Sequence, residues 1–88
     1  MKKNKFKPGT VVVFDPAHFN PKFWDNLKEE DRVKYYGELG YGLDRIKFFV
    51  FLCEVNDSGH CVLVDLDNNK IITMRHTIDF REATEEEF

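Results

Sequence analysis

Eighty-eight residues, with thirteen Lys and Arg against sixteen Asp and Glu, make one small domain of net charge −3 rather than several. Nothing in the chain approaches the ~18 consecutive apolar residues of a membrane-spanning helix, and no internal repeat or low-complexity tract is present. Nine Phe, three Tyr and one Trp supply enough apolar bulk for a thin core without a metal or disulfide staple. Two Cys and no apolar leader of signal-peptide length point to a reduced, cytoplasmic setting.

The chain opens on a basic arm, Lys2, Lys3, Lys5 and Lys7, of which residues 1–5 are expected to be flexible. Without those four lysines nine basic side chains face sixteen acidic ones, leaving a body near −7 that repels phosphate. The arm is either a solvated terminus or a phosphate-contacting segment that gains affinity by counterion release. Next comes a strand, Val11-Val12-Val13-Phe14, announced by Pro8-Gly9 and ended by Asp15-Pro16. The start Phe6-x-x-Gly9-x-Val11-Val12, followed by a long excursion, resembles the opening strand of small SH3-like β-barrels. That resemblance implies a small barrel or a strongly bent five-stranded antiparallel sheet. It implies no particular activity.

Residues 16–44 form an insertion in such a fold. Asn20-Pro21 reads as an N-cap and first helical position, predicting a short helical turn that carries Phe23, Trp24 and Leu27. Glu29-Glu30-Asp31 then places acid where a helix N-terminus is positive, and Gly37 stands where a left-handed residue would end that helix. Val33 and Tyr36, three apart, are expected to face the sheet. Gly37-Glu38-Leu39-Gly40-Tyr41-Gly42 reads as irregular backbone. Phe23, Trp24 and Tyr36 are expected either to cap an open end of the core or to join a contact surface, with Tyr35 and Tyr41 as the exposed pair.

Residues 46–82 read as a β-meander and a last strand. Three runs, 48–55, 61–66 and 71–74, are rich in β-branched and aromatic residues. A three-residue loop, Asp57 to Gly59, and a two-residue turn at Asn68 and Asn69 are expected. Those loops set Val62, Val64 and Leu66 opposite Glu54, Leu52 and Val50, set Cys61 across from Val55 and His76, and leave Cys53 and Cys61 on one face. A two-residue loop, Ser58-Gly59, would part the thiols. Residues 75–81 predict a 3₁₀ turn capped by Thr77 or Asp79, then a core-filling Phe80 in a strand beside the first. Thr84 and Glu87 have capping-box spacing, with room for about one turn.

The chemistry-bearing residues are few. Cys53, Cys61, His60 and His76 do not have the spacing of a zinc site, and a Cys61-His76 nucleophile would need an open cleft and a depressed thiol pKa. No phosphate-cradling GxxxxGK, no Ser elbow and no second carboxylate arranged with Asp65 or Asp79 for acid–base work is present, so no cofactor, no metal and no enzymatic role are expected. Two functions remain. The first is a non-enzymatic module that binds a protein or peptide through Trp24, Tyr35, Tyr36 and Tyr41. The alternative is a nucleic-acid-binding barrel using Lys2, Lys3, Lys5 and Lys7 with stacking aromatics.

Overall fold

The computed structural model describes residues 5–18 and 21–87, so Lys2, Lys3 and the Asn20 cap lie outside the described residues. Among these residues five strands are formed: β1 Val11–Phe14, β2 Phe48–Glu54, β3 His60–Asp65, β4 Lys70–His76 and β5 Phe80–Glu82. Two helices, α1 Pro21–Asn26 and α2 Glu29–Tyr36, stand between β1 and β2. The strands make one antiparallel sheet of order β4-β3-β2-β1-β5, open between β4 and β5. Its core face carries Val12, Phe49, Phe51, Cys61, Leu63, Ile72 and Phe80, with Leu39 brought down from the insertion.

The strands lie where side-chain type predicts, but both hairpins are longer than expected. β2 and β3 close through Val55 N–H to the His60 carbonyl at 2.8 Å, leaving residues 56–59 as the loop. Asn56 and Asp57 both take left-handed backbone (φ 49° and 56°), which these residue types tolerate, and the Ser58 hydroxyl bonds the Val55 carbonyl at 2.6 Å. A bulge at Leu52 then absorbs another residue, so Val62 pairs with Cys53 and Val64 with Val50. The register opposite Glu54, Leu52 and Val50 is therefore corrected, and the two thiols part: Cys61 is buried and Cys53 exposed.

The second hairpin closes at Asp65–Lys70, with residues 66–69 as its loop. Asp65 is the reason. Its carboxylate accepts from the Asp67 N–H at 2.9 Å and the Asn68 amide at 3.2 Å, an Asx-type arrangement that a two-residue turn cannot hold. A bulge at Thr73 and Met74 shifts the upper half of β4, so Cys61 lies across from Arg75 and His76 across from His60. The expected Cys61–His76 pair is not formed.

Inside the insertion, Gly37 is right-handed (φ −58°) and the chain continues through a 3₁₀ turn, Gly37–Leu39. The left-handed residue is Gly40, φ 107°, where a Cβ would also stand 3.2 Å from the Lys47 Cβ. The additional turn delivers Leu39 into the core. Helix α2 turns Arg32 and Tyr36, four apart, toward the sheet, and Val33 is 56 % exposed instead of facing it.

Past β4, the 3₁₀ turn Thr77–Asp79 forms as expected, but its cap is the His76 ring, whose Nδ1 accepts from Ile78 N–H at 3.2 Å. Thr77 is instead buried, its hydroxyl without a hydrogen-bond partner. Phe80 fills the core and β5 pairs with β1. Thr84 N–H donates to Glu87 Oε1 at 2.8 Å, half of the expected capping box, over the single turn Glu85–Glu87.

Candidate functional site: the aromatic face of the insertion

Phe14, the last residue of β1, is the anchor on which the insertion is assembled. Tyr36 stacks on it at 5.3 Å between centroids, while Trp24 and Phe80 meet it edge-on at 5.7 and 6.1 Å. Trp24 in turn contacts Tyr36 at 5.4 Å and Tyr41 at 5.5 Å, both edge-on. Edge-to-face pairs of this kind each contribute about 0.5–1.5 kcal/mol beyond burial. The Arg32 guanidinium lies 4.8 Å from the Trp24 centroid, and its Nη2 donates to the Trp24 carbonyl at 2.7 Å. The Tyr41 hydroxyl donates to Glu29, which closes α2 against the 40–42 segment.

Three of the four aromatic candidates, Trp24, Tyr36 and Tyr41, thus share one interlocked, half-buried cluster. Tyr41 is not the exposed ring that its glycine neighbours suggest. Tyr35 is exposed, at 51 %, with the Lys34 ammonium 5.2 Å from its ring centroid. Phe23 and Val33 are also exposed. Burial pushes the Tyr36 hydroxyl above its usual pKa, with Asp79 adding to the rise and Arg75 opposing it, so this phenol stays protonated.

Two cations that sequence reasoning passed over fasten this surface to the sheet. Arg75 of β4 donates from Nη1 to the Tyr35 carbonyl at 2.6 Å and from Nη2 to Glu38 at 3.0 Å, with its guanidinium 5.9 Å from the Tyr36 centroid. Lys47 donates to the Glu38 carbonyl at 2.8 Å and to Asp65 at 2.7 Å. The legible signal for the second was Asp65 itself. A carboxylate in the run Val62-Leu63-Val64-Asp65-Leu66, on the same face as Leu63, demands a cation near it.

The other candidates are dispersed or closed. Lys5 and Lys7 are exposed, and Phe6 packs edge-on against Phe51 at 5.5 Å. Burial pushes the Cys61 thiol up to about 12, with Asp79 and Glu54 adding to the rise, and its Sγ donates to the Arg75 carbonyl at 3.3 Å. Such a thiol is a small buried hydrophobe and not a nucleophile. Among the described residues no group of three or more His, Cys, Asp and Glu could hold a metal ion. A cleft of about 160 Å³ lined by Phe14, Leu39, Gly40 and Ile46 is smaller than the roughly 300 Å³ at which ligand pockets begin. The cations on its wall, Arg45, Lys47 and Arg81, are held by Asp67, Asp65 and the pair Asp15 and Glu87. No helix of the described residues is long and apolar enough to cross a membrane. Comparison of the chain with protein-family models, curated proteins and solved structures returned no match.

Proposed function

We propose that this protein is a non-enzymatic interaction module that binds a protein or peptide partner through the aromatic face of its insertion. The observation that carries the reading is the contrast on that face: Trp24, Tyr36 and Tyr41 lock into one cluster, while Tyr35 stands exposed at the end of the helix that the cluster holds still. A ring presented from a fixed frame loses little freedom on binding, so its contact area converts efficiently into affinity. The body without its lysine arm, near −7, favours a partner with a basic flank. The strand order, with a 3₁₀ turn ahead of the last strand, supports an SH3-like architecture, and two free thiols suit a reducing cytoplasm.

Affinity capture with the full chain and with Tyr35→Ala tests the reading. The expected outcome is a captured partner whose affinity falls at least tenfold in the variant while the melting temperature stays unchanged. Capture of the same set at equal strength by both chains would remove Tyr35 from the contact and sink the reading. Deleting residues 1–5, which spares the packed Phe6, addresses the lysine arm. A steeply salt-dependent nucleic-acid affinity that disappears with the arm would favour the alternative instead.

A further inference from the structure

The face of the sheet turned away from the core carries a row that the core does not use. Val11 pairs with Val50, Val50 with Val64 and Val64 with Ile71, so four aliphatic side chains stand in line across β1, β2, β3 and β4. The next pair along, Cys53 with Val62, extends the same face. No charged residue interrupts the row, and its outer end, Ile71, is 62 % exposed. An antiparallel sheet with one solvated side ordinarily alternates apolar inward with polar outward. Along this row the sheet is apolar on both, and charge returns to the outer face at β5, where Arg81 pairs with Val13 and is held by Asp15 and Glu87.

We propose that the outer face is a homodimer interface, covered by the same face of a second copy of the chain. The row is self-complementary. A two-fold axis parallel to the strands and between β2 and β3 lays Ile71 of one copy over Val11 of the other, and Val50 over Val64. The prominent end of each row thus meets the recessed end of its mate, Val11 being half-buried. No charge in the row is desolvated by this pairing, the term that most often spoils a face-to-face contact. Four strands about 4.8 Å apart and five residues of about 3.3 Å give a footprint of roughly 300 Å². Two corrugated faces of that size bury on the order of 1,000 Å² in total, the lower limit of a specific interface. The dimer is accordingly a weak, micromolar one, stacked as aligned sheets. Edge-to-edge pairing through β4 is the competing geometry, and the bulge with left-handed Met74 (φ 65°) breaks the flat edge that it would need.

Sedimentation equilibrium of the full chain over about 5–500 μM tests this. The expected result is a mass rising from monomer toward dimer, with Ile71→Lys raising the dissociation constant at least tenfold. Val33→Lys, equally exposed but on the insertion, should leave it unchanged. If Ile71→Lys does not fold, Ile71→Thr, which keeps the β-branch, is read in its place. Monomer mass throughout, an Ile71 variant that associates as well as the native chain, or disruption by Val33→Lys would each overturn the proposal.

Discussion

Met74 adopts left-handed backbone, φ 65°, at the β4 bulge while 80 % of it is exposed to solvent. A side chain in that conformation costs about 1–2 kcal/mol, and little packing offsets it here. Met74→Gly should therefore raise stability by about 1 kcal/mol, read as a higher urea midpoint at unchanged slope. Gly59 gives the opposite case. Its φ is 89°, and a Cβ there would fall 2.3 Å from Nε2 of His76, the ring that caps Ile78. Gly59→Ala should cost about 2–4 kcal/mol, from backbone strain together with the displaced cap. Adding His76→Ala should recover part of that loss, because the clash disappears while the strain remains. Full additivity of the two substitutions would show that the imidazole is not what the methyl group meets.

The elements themselves were legible because each rests on local chemistry: β-branched runs for the strands, acid in the first turn of α2, Pro21 at the start of α1. Their register was not. It depends on Asp65 gripping its own loop, on Ser58 tying Val55, and on bulges at Leu52 and Met74 whose cause lies in pairing across the sheet. The same holds for the aromatic site. Residue type marked Trp24, Tyr35, Tyr36 and Tyr41, but only the fold separates the one exposed ring from the three that brace it. Nor did spacing reveal how the insertion is fastened. Lys47 bridges it to β3 through a nearly buried pair with Asp65, and breaking one partner of such a pair typically costs about 3–5 kcal/mol. Lys47→Met should destabilise by about 3 kcal/mol and make residues 40–46 the first site of protease cleavage. Pairing it with Asp65→Asn should be milder than Lys47→Met alone, since no bare carboxylate is then left inside.

At the scale of the whole molecule, three carboxyl groups bend the dependence of stability on pH in opposite directions. Hydrogen bonds from Arg81 and from Thr84 N–H hold Glu87 down to about 2. Burial pushes Asp65 up, but bonds from Lys47, Asp67 N–H and Asn68 outweigh it and leave it below the usual carboxylate range. Both groups bind protons more readily in the unfolded chain, so the stability they add is present above pH ~4 and is lost as pH falls toward their folded values. Asp79 acts the other way. Burial raises it to about 6, with Arg75 drawing it back, so the folded state holds its proton where the unfolded chain has released it. Its contribution is complete below pH ~4 and disappears as pH rises through about 6. A shift from ~3.9 to about 6 corresponds to about 2–3 kcal/mol. The molecule should therefore be most stable near pH 4–5, with a decline from there to about pH 6.5 that urea titrations at fixed ionic strength resolve. Asp79→Asn carries no titrating proton and should flatten that decline, gaining about 2 kcal/mol over the native chain at pH 7.5 and almost nothing at pH 3.5. An equal gain at both pH values would assign the effect to packing around Tyr36 and Arg75 rather than to the buried carboxyl.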